Sequence, residues 1–130
     1  MEEEELSLVI TKQGRIIYSS KEKGVRPLFQ AILGMEDSLD NAAVADRVVG
    51  SPVAMLCLYA GISSVYAMVA SKGALTMLHK QGVPVTATEV IPDILNSDRT
   101  GLCPFEKLAQ SVTSPSQLFS ALESLFTEAK

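Results

Sequence analysis

Residues 40–70 run DNAAVADRVVGSPVAMLCLYAGISSVYAMVA. The first two thirds read as a largely buried helix over residues 41–60, and Gly61 is its natural stop. Gly50 and Pro52 lie inside that helix. Proline removes one backbone hydrogen bond there, so a single kinked helix is expected. Ser51-Pro52 also offers a fresh cap and first position. Residues 63–70 then read as an interior strand with apolar side chains on both faces, the pattern of a sheet covered on both sides. A helix followed by such a strand is the middle of a small α/β domain. Ala45-Asp46-Arg47-Val48-Val49-Gly50 puts charge at the start of an otherwise apolar segment.

Towards the N-terminus, residues 6–11 (LSLVIT) and 15–19 (RIIYS) are two strands joined by the hairpin loop Lys12-Gln13-Gly14. Pro27 suits the first position of a short helix, with Leu28, Phe29, Ile32 and Leu33 at helical spacing and Gly34 at its end. Asp40 or Asn41 can cap the helix that follows.

Towards the C-terminus, Ser71 caps a helix over residues 73–81, Gly82 stops it, and residues 83–90 form the next strand. Strand, helix and strand within about 28 residues make a right-handed parallel crossover. Residues 91–102 are a polar loop. Cys103-Pro104 opens a further helix with Phe105, Leu108, Ala109 and Val112 on one face. Ser114-Pro115-Ser116-Gln117 is a capping box, and Leu118, Phe119, Leu122, Leu125 and Phe126 form an apolar stripe after it. The order ββα-α-βαβ-αα implies an α/β fold, a three-layer α-β-α sandwich on a mixed sheet. A single domain over residues 1–130 is expected, with residues 1–5 a disordered acidic tip and residues 114–130 a C-terminal amphipathic helix.

The 130 residues are 47% hydrophobic and 20% charged, with net charge −4 and a pI near 4.9. That balance argues against a nucleic-acid binder, which needs a basic face. Aromatic residues are 5% with no tryptophan, so no base-stacking surface is evident. Cys57 reads as a small core residue, and two cysteines make no disulfide framework. Met1 is followed by four glutamates rather than by a signal peptide. The apolar run over residues 52–60 is too short to span a membrane, and a cytoplasmic location is expected.

Three segments resemble an uncharacterised family of small bacterial and archaeal proteins, a domain of unknown function. They are Lys23-Gly24-Val25-Arg26-Pro27-Leu28, Val44-Ala45-Asp46-Arg47-Val48-Val49-Gly50, and Asp98-Arg99-Thr100-Gly101-Leu102-Cys103-Pro104-Phe105-Glu106-Lys107. The resemblance implies a cytidine-deaminase-like fold with strand order 2-1-3-4, and no settled activity. Zinc deaminases hold their metal with the pattern H-x-E … P-C-x-x-C. The first half would fall at the start of the central helix, on Val44-Ala45-Asp46-Arg47; the second would fall on Ser71-Lys72-Gly73-Ala74. Neither holds a His or Cys. His79 reads as a surface residue in the last turn of another helix. A zinc-dependent deaminase is therefore not expected, and neither a metal nor any other cofactor is implied.

The three segments fall at helix starts and loops beside the carboxyl ends of strands, where open α/β sheets gather their sites. Lys23, Gly24 and Arg26 flank a helix start and can hold a phosphate, or can form a solvated basic turn. Asp46 can accept a hydrogen bond from a ribose hydroxyl or base edge, or act as a base or nucleophile; it can also be a structural ion-pair partner. Arg47 reads as structural. Cys103 reads as a helix cap and pocket wall rather than a nucleophile, since no histidine partner is evident. Glu106 can cap the same helix by reaching back to its first amide. Asp98, Arg99 and Thr100 are polar loop residues that can touch a ligand, and Lys72 stands where a deaminase keeps cysteines.

The expectation that follows is a zinc-free, deaminase-like pocket for a nucleoside, nucleotide, sugar phosphate or related phosphate-bearing ligand. Non-metal chemistry would centre on Asp46, if there is turnover at all. The competing expectation is a non-catalytic interaction or regulatory module with a vestigial pocket, contacting partners through residues 114–130. A homo-oligomer is left open.

Overall fold

The structure, a computed structural model, describes residues 6–94, 101 and 103–128. The chain opens with a hairpin of β1 (Leu8–Lys12) and β2 (Arg15–Ser20). Gln13 and Gly14 between them both have positive φ, 54° and 79°, as the two-residue turn of a tight hairpin requires. Helix α1 (Arg26–Met35) follows, with Pro27 in its first turn. It runs through Gly34 instead of stopping there and tightens into a 3-10 turn, Glu36–Leu39.

The largest departure from the sequence reading comes next. Residues 43–49 are not helix but a central strand, β3 (Ala43–Val49), and only then does α2 (Ser51–Ala60) begin. β3 lies between β1, antiparallel, and β4 (Ser64–Ser71), parallel. Its alternating burial fits a strand, and β-branched Val44, Val48 and Val49 suit that pairing. Pro52 falls in the first turn of α2, where its missing N–H costs nothing, so no kink is needed. Gly61, with φ +78°, closes α2 in the left-handed conformation and donates its N–H to the Cys57 and Leu58 carbonyls. Asp40 and Asn41 cap no helix; they precede β3, and Asn41 itself is left-handed at φ 68°.

Helix α3 (Lys72–Lys80) carries the expected Ser71 cap, whose Oγ accepts the Ala74 N–H at 3.1 Å. Strand β5 (Val85–Ile91), helix α4 (Pro104–Gln110) and helix α5 (Pro115–Glu128) complete the order. At the start of α5 the Gln117 side-chain oxygen accepts from the Thr113 backbone N–H at 2.7 Å, while the Gln117 backbone N–H donates to Ser114 Oγ at 3.3 Å.

The mixed sheet has the order β2-β1-β3-β4-β5, the expected 2-1-3-4 with a fifth strand added. β1 alone runs against the others. Each strand–helix–strand step crosses the sheet in the same direction, so right-handed crossovers place α1, α2 and α3 on one face. Leu8, Ile10, Val44, Asp46, Val65 and Ala67 point into that face and are buried. The opposite face leaves Tyr66 and Met68 exposed. Helix α2 touches α1, α3, α4 and α5, which is why it is apolar on nearly every side. Helix α5 seals the stack with fully buried Leu118 and Leu122. No helix among the described residues is long and apolar enough to cross a membrane.

Candidate functional site at the carboxyl rim

Strands β2, β3 and β4 point the same way, so α1, α2 and α3 all begin at one rim of the sheet. The N-terminal ends of three helices, with their positive dipole ends, therefore face the same rim, although side chains already take up N–H groups at α2 and α3. Among the described residues four polar or charged side chains are buried: Ser7, Asp46, Ser71 and Glu106. All four lie on the segments that lead to this rim. Ser7 precedes β1, donates its hydroxyl to the Lys21 carbonyl at 3.2 Å, and accepts the Arg47 N–H on its own carbonyl at 3.0 Å. Ser71 caps α3.

Glu106 is the feature that sequence reading assigned to the wrong helix. Its carboxylate does not cap α4; Oε1 instead accepts the N–H of Ser51 at 3.3 Å, at the first turn of α2. It is 7% exposed. A Cβ on residue 50 would meet the Glu106 carboxylate and Ile94 Cγ1, so glycine there makes room for the contact. Burial is the main cause that raises the Glu106 pKa; the Ser51 N–H opposes the rise and nearby Asp93 adds to it. The α2 N-terminus thus already holds an acidic group. Local spacing marked Glu106 as a cap but not which helix it caps; Gly50 and Ser51-Pro52 marked the turn that receives it.

Asp46 sits within β3, opposite Leu8 of β1, beneath α2 and not at the start of a helix. It is 5% exposed. Burial pushes its carboxyl up to about 7, although the backbone N–H groups of Arg47 and Val48 hydrogen-bond to it and pull the other way. Cys57 on α2 is wholly buried, and burial together with the Asp46 charge pushes its thiol far up. Arg47 makes contacts within the fold: Nε donates to the Leu6 carbonyl at 2.8 Å, and Nη1 approaches Met68 Sδ at 4.0 Å.

Lys23, Gly24 and Arg26 are exposed at the start of α1. The Arg26 guanidinium lies 5.1 Å from the Phe126 ring centroid. Phe126 in turn lies 5.9 Å from Phe105, in the first turn of α4. The α1 and α4 segments are joined in this way, and Glu106 joins α4 to α2. Cys103 is half-buried at the N-cap of α4, gives no side-chain cap, and donates its backbone N–H to the Ile94 carbonyl at 3.0 Å. Lys72 is exposed at the first position of α3. Asp98, Arg99 and Thr100 lie outside the described residues.

With α2 beginning at Ser51, the first deaminase half-motif would align with Gly50-Ser51-Pro52-Val53, which also offers no metal ligand. Among the described residues no three His, Cys, Asp or Glu side chains gather as a metal site. His79 is exposed in the last turn of α3.

The family model described as TM1506, Domain of unknown function (DUF1893), matches residues 1–126. No curated protein matches the chain. Among solved structures, a DUF1893 family protein (TM1506) from Thermotoga maritima is similar with TM-score 0.84 and 32% identity, over 95% of this chain and 82% of that one. A diaminohydroxyphosphoribosylaminopyrimidine deaminase/5-amino-6-(5-phosphoribosylamino)uracil reductase from Thermotoga maritima is similar with TM-score 0.53 and 18% identity. That match covers 78% of this chain and 33% of the enzyme, and it shows a shared fold alone.

Proposed function

The chain belongs to the DUF1893 family, and from that footing we propose that it binds a nucleoside, nucleotide or related phosphate-bearing small molecule at the carboxyl rim. What supports this reading is that α1 and α3 begin at one rim, with Lys23 and Arg26 exposed at the start of the first and Lys72 at the start of the second. Helix starts favour anions, and arginine and lysine supply a forked contact and a point charge for a phosphate. The deaminase-fold neighbour is named for phosphoribosyl-bearing heterocycles, the same class of ligand on the same fold. Asp46, with a carboxyl near neutrality under α2, is the group that turnover of such a ligand would use as its base.

The interaction-module alternative draws less support. The stripe of α5 on which it rests is spent on the core at Leu118 and Leu122, and Phe119 and Phe126 pack on Phe29.

Thermal unfolding with AMP, CMP, ribose 5-phosphate and the parent nucleosides tests the proposal. The phosphate-bearing ligands should raise Tm more than the nucleosides, as expected for binding to the native state. The gain should shrink in Lys23→Ala, Lys72→Ala and Arg26→Lys. Equal behaviour of wild type and all three variants would overturn it.

A further inference from the structure

We propose a second binding site, at the opposite end of α2, that takes a small organic cation with an apolar body. An open cavity of about 740 Å³ lies where α1, the last turn of α2 and α5 meet, lined among others by Leu33, Asp40, Leu58, Tyr59, Phe119 and Glu123. That volume falls in the range of small-molecule sites, roughly 300–1,000 Å³. Its wall is aromatic: Tyr59 stacks on Phe119 with centroids 4.6 Å apart and planes 14° apart. Tyr59 is nevertheless 43% exposed and Leu33 45% exposed, so apolar surface is left available in the opening.

Among the described residues the charge lining that wall has one sign: Asp40 and Glu123 line the cavity, and no Lys, Arg or His does. Asp40 Oδ1 lies where a Cβ on Gly61 would be, beside the residue that closes α2. A carboxylate is stabilised at the start of a helix and disfavoured at its end, where carbonyls point outward. Asp40 is thus held at the wrong pole of α2, and a bound cation would relieve that opposition. Lys12 reaches the adjacent 3-10 turn but donates to the Ser38 carbonyl at 2.9 Å.

The aromatic series supplies an independent argument. Phe126 contacts Phe29, Phe29 contacts Phe119, and Phe119 stacks on Tyr59. At the rim end the series finishes under Arg26, a cation over a ring face. At the other end it finishes at half-exposed Tyr59, beside two carboxylates. An ammonium group on an aryl or short alkyl body matches the ring, the carboxylates and the helix end together.

Phenethylamine, 2-phenylethanol and phenylacetate share one body and differ in charge. Each would be titrated into the full chain, following backbone amide and Tyr59 ring resonances, with sedimentation at matched concentrations. Phenethylamine should give saturable shifts centred on Tyr59 and Gly61, 2-phenylethanol should bind more weakly, and phenylacetate should not bind. Glu123→Gln and Asp40→Asn should each weaken phenethylamine by about three- to fivefold. Tyr59→Leu, which keeps apolar bulk, should remove most of the shift. Equal binding of the three probes, preference for phenylacetate, or protection of Tyr59 by self-association of the chain would each overturn the proposal. None of these results depends on phosphate binding at the rim.

Discussion

Glu106 Oε1 accepts the Ser51 backbone N–H at 3.3 Å across 55 residues of sequence. Helix α2 has Gly50 at its N-cap and no side-chain cap of its own, so a residue from α4 performs that task. Removing the carboxylate in Glu106→Ala should cost about 1–2 kcal/mol. Gly50→Ala should cost about 1–3 kcal/mol, because its methyl group meets Glu106 and Ile94. The double variant should lose less than the sum of the two, since the collision with Glu106 disappears and only that with Ile94 remains. Urea unfolding of the three variants checks this; strict additivity would mean that the two residues do not act on each other.

Stability should fall as pH rises from about 4 to about 7. The buried Asp46 carboxyl holds its proton up to about 7, against 3.8 for a free aspartate. The native state therefore binds more protons than the unfolded chain across that interval, and the stabilisation present in acid is lost as the carboxyl ionises. Glu106 shifts in the same direction. The loss should be about 2–4 kcal/mol. Asp46→Asn should flatten the profile and be more stable than wild type at pH 8, measured by urea titration at several pH values.

Leu118→Ala and Leu122→Ala remove fully buried side chains from beneath α5 and should each cost about 2–5 kcal/mol. Leu125, on the same helix, is 47% exposed. Leu125→Ala should change stability by less than about 0.5 kcal/mol. Chemical denaturation separates the two cases directly.

The two thiols should differ under native alkylation. Cys57 is enclosed by α2 and its neighbours, with its thiol held protonated. Cys103 is half-buried at a helix start. Iodoacetamide followed by intact mass should give one adduct, mapped to Cys103. A second adduct should appear only with unfolding. Modification of Cys57 under native conditions would contradict the packing of α2.

Local chemistry was legible where a single residue punctuates the chain. The Ser71 cap, the Gly61 and Gly82 ends and the Ser114 start are where sequence placed them, and the hairpin loop read as Lys12-Gln13-Gly14 differs only in that Lys12 belongs to β1. β3 was missed because Ala42, Ala43 and Ala45 suit a helix, and the run into α2 is apolar almost throughout. Pairing with β1 and β4 overrides that preference. The Ser51-Pro52 alternative held the right boundary. At the rim, Lys23, Arg26 and Lys72 could be placed because each sits at a helix start following a strand. Glu106 could be named as a cap, but the helix that it caps depends on tertiary packing, which spacing does not record.

Because β1 is clasped between its hairpin partner and a strand some thirty residues later, a growing polypeptide must carry a half-finished ribbon for a while. Until β3 arrives, the flank of β1 that will receive it presents open amide and carbonyl groups to any passing chain. Ribosome-associated chaperones would find their natural foothold on that flank, and slowing translation between β2 and β3 should aggravate aggregation more than a pause anywhere after β4.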